Sequence, residues 1–206
     1  MEIVPEKTIE RLIVYRRILN KLIYEGEANI FSHKLAELAN STPAQVRRDF
    51  MVIGYSGSPA KGYQIADLEL SISEFLDNPK GQNIAVIGIG KLGTAILKDV
   101  YWNYSNLSKL FAFDIDRKKI GKVIEGIEIL SVDKLKETVE KENIKIAVLC
   151  VPEEVAQITS DYLISYGVRG IVNYTPVHLI VPDFVIVENI DTLLTLEKVS
   201  YFLRHK

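Results

Sequence analysis

The segment at residues 83–93, NIAVIGIGKLG, constrains the fold more than any other part of the chain. An unbroken apolar run over residues 84–87 predicts a strand that is buried on both faces of a parallel sheet. Glycines follow at G-x-G-x-x-G spacing: the first allows a tight turn, the second lets a pyrophosphate approach the backbone, and the third lets a helix pack close to the sheet. The segment therefore predicts a dinucleotide fold with phosphates at a helix N-terminus. Its candidate binding residues are Gly88, Ile89, Gly90, Lys91, Leu92 and Gly93.

A second predicted strand ends at Asp114, which lies 21 residues after Gly93. An acidic residue at this distance can accept hydrogen bonds from both ribose hydroxyls of an adenosine, and it repels a 2′-phosphate. Asp114 therefore favours NAD(H) over NADP(H) as the cofactor. A Rossmann domain that holds another nucleotide, such as coenzyme A, stays an alternative.

The alternation of strands and helices continues towards the C-terminus, with buried strands predicted at residues 144–151, 168–173 and 184–187. This order predicts an α/β fold with a doubly wound parallel sheet and right-handed crossovers. Loops at the carboxyl ends of such strands line the ligand crevice. By that rule three pairs of residues face the cofactor, namely Val151 with Pro152, Asn173 with Tyr174, and Glu188 with Asn189.

The N-terminal third predicts a helix-turn-helix. A long amphipathic helix follows Pro5, a short helix follows Ser32 as its N-cap, and a third helix begins after Thr42 and runs to Gly54. Glutamine and two arginines cluster in the first two turns of the third helix, where a recognition helix meets base edges and phosphates. An ordinary exposed helix face would carry the same residue types. The candidates for DNA contact are Gln45, Arg47 and Arg48.

Residues 54–65, GYSGSPAKGYQI, predict a β-hairpin, which would make the N-terminal domain a winged helix. A connecting helix at residues 67–77 follows, and the tetrad at 78–81 marks the clearest domain boundary. The predicted domains are a DNA-binding domain at 1–78, a Rossmann domain at 79–190 and a C-terminal helix at 191–206. That helix is too apolar to be left in water, and a second subunit is its simplest partner. Packing back on its own chain stays open.

Composition sets the broad class of the protein. A single cysteine, Cys150, excludes an internal disulfide framework and fits a reducing cytoplasm. The charged start is no signal peptide, and no apolar run reaches transmembrane length, so no membrane partner is expected. No metal-ligand cluster is evident, and we expect no metal site.

Several stretches, in this order and at these separations, resemble the Rex family of bacterial redox-sensing transcriptional repressors along nearly the whole chain. These stretches are RLIVYRR from Arg11, AQVRRD from Ala44, GIGKLG from Gly88, FDID from Phe113, Val151-Pro152, NYTP from Asn173 and VENID from Val187. The resemblance implies a homodimer in which the winged helix binds palindromic operator DNA when NADH is low. NADH binding to the Rossmann domain would close the dimer and release the DNA.

The resemblance also implies roles for particular residues. Gln45, Arg47 and Arg48 would contact DNA; in the wing, where the family usually carries Lys-Arg, this chain has Ser58-Pro59 and only Lys61 later. The four dinucleotide residues would be Gly88, Gly90, Gly93 and Asp114, with Val151, Pro152 and Asn173 near the nicotinamide. Arg17 and Asp191 match a pair that couples the domains across the dimer, and the C-terminal helix would swap into the partner. Where the family has a tyrosine six residues after the third glycine, this chain has Asp99, and either Tyr101 or Tyr104 is a candidate to replace that tyrosine.

Three alternatives remain. A small NAD-dependent dehydrogenase would need an acid or base at the crevice, and His178 is the one histidine that could approach it. An acyl-CoA-binding module with a protein-interaction domain explains the glycines but neither Asp114 nor the arginines of the third helix. A relative whose wing has degenerated would bind partner proteins or weakened sites. We predict a regulator without catalytic residues or substrate.

Overall fold

The computed structural model describes residues 4–205, and the chain separates into two compact units between Pro79 and Lys80. This division lies inside the tetrad at residues 78–81. The first unit contains four helices and two short strands over its described residues. They are α1 (Glu6–Tyr24), β1 (Asn29–Ile30), α2 (Ser32–Leu38), α3 (Pro43–Val52), β2 (Tyr63–Gln64) and α4 (Ile65–Leu76).

The core of the first unit is built around one face of α1. Leu12, Tyr15 and Leu19 recur at helical spacing and are fully buried. Phe50 of α3 packs edge-on against the Tyr15 ring, with the ring centroids 5.6 Å apart. Leu68 of α4 belongs to the same cluster. The core therefore holds the third helix of the predicted helix-turn-helix against the first, and the winged-helix prediction is confirmed.

The wing differs from the predicted β-hairpin. Tyr63 and Gln64 pair antiparallel with β1, which precedes α2. Within the wing itself, Ser58 and Gly62 exchange two backbone hydrogen bonds of 2.7 and 2.8 Å. Pro59 follows Ser58 immediately and has no N–H to extend this ladder. The hairpin prediction is therefore wrong in its pairing: the wing is one bridged turn, and its second strand pairs with a strand outside it.

Two predicted helix starts are also corrected. Ser32 is the first residue of α2, and Phe31 precedes it as the N-cap residue. The helix after the glycine motif begins at Lys91 rather than after Gly93, so the third glycine lies within its first turn. The second shift places three predicted site residues, Lys91, Leu92 and Gly93, in the first turn of α5 rather than in the loop before it.

Over its described residues the second unit contains seven strands and four α-helices. They are β3 (Gln82–Ile87), α5 (Lys91–Asn103), β4 (Leu107–Asp114), β5 (Val123–Ile124), β6 (Ile127–Ser131), α6 (Leu135–Lys141), β7 (Ile146–Leu149), α7 (Glu153–Ser165), β8 (Gly170–Asn173), β9 (Ile186–Asn189) and α8 (Thr192–Leu203).

The strands form one sheet in the order β5-β6-β4-β3-β7-β8-β9. All neighbouring pairs are parallel except β5 with β6. The chain order reverses next to β3, so the crevice of a doubly wound sheet lies at the carboxyl ends of β3 and β7. The predicted parallel sheet is confirmed. Residues 117–121 form turns, and the antiparallel strand β5 was not predicted.

Alternate residues of the central strand enter two different cores. Ala85 and Ile87 face a cluster that contains Leu135 of α6 and Leu163 of α7. Ile84 and Val86 face a second cluster, which contains Leu97 of α5. Helices therefore cover both faces of the sheet, which explains why residues 84–87 read as an unbroken apolar run.

The C-terminal part carries an exposed apolar surface. The last strand begins at Ile186, two residues later than predicted. None of the described residues of α8 is buried, although its sequence is strongly apolar. Leu193 is 71% exposed and Leu203 is 72% exposed. Among the described residues, the apolar side chains of α8 are therefore left exposed.

Within residues 4–205, no helix combines the length and the apolar character that crossing a membrane would require.

Candidate nucleotide site and DNA-recognition helix

The three motif glycines have different surroundings. Gly88 adopts φ +90°, and a Cβ at this position would lie 2.5 Å from the Cys150 carbonyl oxygen. A Cβ on Gly93 would collide with the carbonyl oxygen of Gly88. A Cβ on Gly90 would meet no protein atom within 4 Å. Gly88 and Gly93 therefore serve the turn and the close packing of α5, whereas Gly90 faces open space.

A cavity of about 820 Å³ adjoins this turn. The first residues of α5 lie on one side of it, and the N-cap, Gly90, offers no side chain to the N–H groups of the first helical turn. Such N–H groups and the helix dipole together favour a phosphate. The open space at Gly90 leaves the backbone accessible from the cavity, as a bound pyrophosphate would require. Predicted residues that line the cavity are Gly88, Gly90, Lys91, Leu92, Gly93, Asp114, Val151 and Pro152.

Asp114 stands at the edge of the cavity, where β4 ends. Its Oδ2 accepts hydrogen bonds from the Ile89 N–H at 2.8 Å and from the Lys119 ammonium at 2.9 Å, and its Oδ1 accepts the Asp116 N–H at 2.8 Å. Burial by itself would raise the pKa of Asp114, but the bonds from Asp116, Lys119 and Ile89 outweigh it and lower the pKa. The carboxylate therefore stays ionised at neutral pH and ties the glycine loop to the end of β4.

Two predicted cofactor residues lie outside the lining of the larger cavity. Ile89 is buried in the core beneath α5, and only its backbone N–H reaches the site, through Asp114. Asn173 is fully buried, and its amide donates to the Val177 carbonyl and to Asn189 Oδ1. Its oxygen accepts the N–H and the hydroxyl of Thr175. The Asn173 amide thus shapes the loop after β8.

The far end of the carboxyl edge has a cavity of its own. Asn189, Asp191 and the exposed His178 line a space of about 470 Å³ beside the start of α8. His178 does not line the larger cavity, so the histidine considered as the acid or base of a dehydrogenase lies elsewhere. Within residues 4–205, no group of three or more His, Cys, Asp or Glu side chains could hold a metal ion.

Cys150 lines the larger cavity at the end of β7. Burial raises the pKa of its thiol to about 11, so the thiol is protonated and neutral at physiological pH. The reactive species of a cysteine is the thiolate, and Cys150 therefore contributes an apolar wall rather than redox chemistry.

The recognition-helix candidate α3 has a well-formed start. The Thr42 hydroxyl accepts the Gln45 N–H at 3.2 Å, and Pro43 occupies the first turn. Val46 and Phe50 are buried, which directs Arg47 and Arg48 outward, and both arginines are exposed. Arg47 donates to the Ser32 hydroxyl at 3.2 Å. The helix therefore presents two cations on an anchored backbone.

A buried carboxylate, Asp49, anchors α3 to α1. It is 1% exposed and accepts two hydrogen bonds of 2.7 Å from Arg11 and one of 3.0 Å from the Tyr15 hydroxyl. The Gln45 amide donates to the same carboxylate at 2.9 Å. This bond fixes the orientation of the Gln45 side chain. The amide oxygen and the second amide N–H of Gln45 are not used by Asp49 and can bond another partner.

Acidification is expected to destabilise the folded chain through Asp49 and Asp114. Burial would raise the pKa of Asp49, but bonds from Arg11, Gln45 and Tyr15 outweigh it and lower the pKa. A lowered folded-state pKa contributes stability that is present above the unfolded value of about 3.9 and is lost as the pH falls through the folded value. We expect the free energy of unfolding to be level above about pH 5 and to fall below about pH 4. Chemical denaturation across this pH range measures the free energy of unfolding and tests this expectation. If the free energy of unfolding of an Asp49→Asn variant fell as steeply on acidification as that of wild type, the assignment to Asp49 would be contradicted.

None of the remaining predicted residues is buried. Lys61 is exposed in the wing, where its backbone N–H lies 3.4 Å from the Ser58 hydroxyl oxygen. Arg17 is exposed on α1. Asp191 is the N-cap of α8, and its carboxylate accepts the Leu194 N–H at 2.9 Å. Tyr101 and Trp102, which follow Asp99, form an exposed edge-to-face pair at the end of α5.

Two groups of residues in these sites were not predicted from the sequence. Asp49 follows Gln45 at a spacing of four, which places both on one helix face, but only the fold brings Arg11 to them. Lys119 follows Asp114 by five residues, and a turn after Asp116 carries its ammonium back to the carboxylate. The spacing of Gln45 and Asp49 could have indicated their contact from the sequence alone. Nothing in the sequence indicated that the Lys119 ammonium contacts Asp114.

Comparison with known proteins decides the family. A repressor of Bacillus licheniformis named redox-sensing transcriptional repressor Rex is 34% identical over 202 residues, covering 98% of this chain and 94% of the relative. The chain belongs to the Rex family. A second Rex protein, from Shouchella clausii, is 36% identical over 98% of this chain and 95% of its own length. Family profiles for a CoA binding domain and for a putative DNA-binding protein N-terminus match residues 79–177 and 3–50.

Solved structures agree with this membership. The Rex-family repressor RSP in complex with NADH matches with a TM-score of 0.85 at 32% identity, covering 100% of this chain and 96% of RSP. RSP in complex with NAD+ and operator DNA matches with a TM-score of 0.90 at 33% identity, covering 100% and 94%. Rex proteins are named as transcriptional repressors, a class of regulators rather than enzymes.

Proposed function

We propose that this chain is a homodimeric transcriptional repressor that senses the NADH/NAD+ ratio. It binds palindromic operator DNA when NADH is low, and NADH releases it. One observation carries the proposal: a single chain of the Rex family combines a glycine-lined phosphate cavity with a capped helix that exposes two arginines. RSP, which is similar over the full length of this chain, has been solved with NADH and with NAD+ plus operator DNA.

The dinucleotide lies across the carboxyl ends of β3 and β7 in this proposal. Its pyrophosphate meets the open space at Gly90 and the first turn of α5, and its adenosine ribose meets Asp114. Val151 and Pro152 flank the nicotinamide end. Asn173 acts indirectly, because its amide is engaged in holding the loop after β8.

A preference for NADH over NAD+ follows from the lining near the nicotinamide. Val151, Pro152 and the neutral thiol of Cys150 offer no negative charge to a cationic ring. Burying a charge without a partner is costly, so the neutral dihydronicotinamide ring is favoured. Sensing then requires that NADH bind better to a conformation that does not fit the operator, and linkage requires operator DNA to weaken NADH binding equally.

DNA recognition is assigned to α3 and the wing. Arg47 and Arg48 are the exposed cations, Gln45 is held beside them by Asp49, and Lys61 extends from the wing. Arginine reads guanine or a phosphate, and glutamine reads adenine through the groups that remain free. With a single lysine in the wing, we expect a shallower dependence of affinity on salt than two wing cations would give.

Arg47→Ala is expected to weaken operator binding by about 10- to 100-fold while leaving NADH affinity unchanged. The effect follows from the loss of one base or phosphate contact. Fluorescence anisotropy with labelled operator measures the first quantity, and calorimetric titration with NADH measures the second. Arg117→Ala is the matched control, because it removes the same charge from an exposed position of the other unit. Equal losses of DNA binding in both variants would contradict a specific role for Arg47.

The dimer is proposed to form through α8. Its exposed leucines need an apolar partner, and a second copy of the chain supplies one if the two helices swap. Arg17 and Asp191 are then paired between subunits and link the nucleotide site to the winged helix. As a repressor that reads the redox state of NAD(H), the dimer is assigned to the cytoplasm.

The proposal is tested with a palindromic operator taken from upstream of the protein's own transcription unit. Binding is measured at one salt concentration with no ligand, with NAD+ and with NADH. Specific binding that NADH abolishes and NAD+ leaves intact is the expected result. NADH binding without specific DNA binding would overturn the repressor function and favour a relative with a degenerate wing.

A further inference from the structure

The loop between β8 and β9 is bound to α7 by one polar side chain. Gln157 of α7 donates an amide N–H to the Ile180 carbonyl at 3.0 Å, and its amide oxygen accepts the Ile180 N–H at 2.9 Å. A side-chain amide that binds both backbone groups of one residue forms the pair of bonds that a neighbouring strand would form. Gln157 therefore fixes the position of the loop along α7 at a residue 23 positions away in the chain.

Apolar contacts hold the same loop but leave this position open. Val177, Leu179 and Val181 pack against the apolar cluster to which α7 contributes. Ile180, between them, is 84% exposed. Apolar burial has no preferred direction, whereas a hydrogen bond weakens steeply when its angle changes. The apolar residues therefore keep the loop close to α7, and the two amide bonds determine where along the helix it lies.

Gln157 lies between the walls of two cavities. Val155 and Ile158, its neighbours on α7, line the larger cavity. The loop that it holds contributes residues 175–178 to the smaller cavity, which Asp191 also lines at the start of α8. The Gln157 side chain itself is not part of either lining. A displacement of α7 would therefore move a wall of the smaller cavity through Gln157.

The other polar anchor of the loop belongs to a different kind of element. Asn173 holds the start of the loop through Thr175 and the Val177 carbonyl. It lies on β8, which has a hydrogen-bonded strand on each side. The loop is thus attached at one point to the sheet and at a second point to a helix whose first turns border the nucleotide cavity. A shift of α7 against the sheet would change the shape of the loop.

We propose that Gln157 is a positioning residue that transmits occupation of the nucleotide cavity to the start of α8. The proposal rests on the proposed sensing of NADH and names a side chain through which the second unit carries the signal. A dihydronicotinamide ring against Val151 and Pro152 shifts the first turns of α7, and Gln157 moves the loop with them. The smaller cavity then changes shape around Asp191, the proposed partner of Arg17. NADH shifts the equilibrium only by the difference between its affinities for the two loop positions.

The test measures how strongly operator DNA and NADH oppose each other in wild type and in Gln157→Met. Methionine keeps the length of the side chain and removes both bonds to Ile180. Calorimetric titration gives the NADH affinity of the free protein and of the protein saturated with operator. We expect operator to weaken NADH binding by at least about 10-fold in wild type and by less than about 3-fold in Gln157→Met. NADH affinity without DNA, and operator affinity without NADH, are expected to stay within about 3-fold of wild type.

Asp161→Ala is the matched control. Asp161 lies on the same helix and accepts a bond of 2.8 Å from the same Gln157 amide. Its removal leaves both bonds to Ile180 in place, so the opposition between operator and NADH is expected to equal that of wild type. Gln157→Glu is a second variant, because an ionised carboxylate accepts the Ile180 N–H but cannot donate to the Ile180 carbonyl. We expect it to lie between wild type and Gln157→Met.

Hydrogen exchange of residues 174–185 follows the loop itself. NADH is expected to change the exchange rate of this segment in wild type and to leave it unchanged in Gln157→Met. Thermal unfolding of each variant without ligand shows whether it is folded. A purely structural role would lower the unfolding temperature and leave the opposition between operator and NADH intact.

The outcomes separate this proposal from the function on which it rests. If operator and NADH oppose each other as strongly in Gln157→Met as in wild type, the proposal is wrong and the repressor function stands. An equal loss in Asp161→Ala, or a loss of NADH affinity of more than about 10-fold in Gln157→Met without DNA, also overturns it. If Gln157→Met does not fold, undiminished opposition in Gln157→Glu overturns it. If operator does not weaken NADH binding in wild type, the proposed function fails and this proposal fails with it.

Discussion

Replacing Asp49 with alanine is expected to abolish operator binding while NADH still binds with its wild-type affinity. The substitution leaves the Arg11 guanidinium, the Tyr15 hydroxyl and the Gln45 amide without their shared acceptor. Removing one partner of a buried ion pair costs about 3–5 kcal/mol, a large part of the stability of a small domain. We expect the winged helix to unfold or to lose the orientation of α3, although Asp49 itself is buried.

The independence of the second unit makes this result informative. The chain separates after Pro79 and the nucleotide unit has two cores of its own, so its NADH affinity should change by less than about threefold. Calorimetric titration with NADH measures the nucleotide affinity of the second unit. Circular dichroism during heating measures whether the helices of the first unit are still folded. Asp49→Asn, which keeps one acceptor oxygen, is expected to lie between wild type and Asp49→Ala. Undiminished operator binding by Asp49→Ala would show that the hydrogen bonds to Asp49 are not needed to orient α3.

Gly90→Val is expected to produce the opposite pattern, with NADH response lost and DNA binding kept. A Cβ at this position meets no protein atom within 4 Å, so the side chain fills open space in the cavity and does not disturb the fold. That space is where a pyrophosphate would lie against the backbone. We expect the dissociation constant for NADH to rise by at least about 100-fold. Operator binding should then persist at every NADH concentration.

Gly88→Val supplies the contrast for this experiment. Gly88 adopts φ +90° and packs against the Cys150 carbonyl, so a side chain there is strained and clashes with backbone. We expect a fall of several degrees in the unfolding temperature for Gly88→Val and little change for Gly90→Val. If Gly90→Val bound NADH normally, the pyrophosphate would not lie at this turn.

The features that the sequence predicted well are those whose physical cause is local. The glycine spacing, the buried strand before it and Asp114 at the end of the next strand each follow from a few neighbouring residues. The start of α3 was equally local, because Thr42 and Pro43 suit the two positions that open a helix. Each of these predictions needed no knowledge of how distant segments pack.

Features that depend on distant packing could not be read in the same way. The wing pairs with β1, which lies more than 30 residues earlier, so a hairpin rule based on neighbouring segments failed there. Arg11 and Asp49 are 38 residues apart, and only the core around Tyr15 brings them together. Asn173 lies at the predicted edge of the sheet, yet its amide turns to the next loop. Position along a strand predicts where a residue lies but not the direction of its side chain.

The exposed apolar length of α8 implies a regulator whose activity depends on its own abundance. If two copies must exchange this helix to bury it, dimer formation scales with the square of the free monomer concentration at low expression. Dilution would then weaken the fold together with the operator complex, and the unfolding temperature should rise with protein concentration. A cell that makes little of this protein would lose repression abruptly, without any change in its NADH.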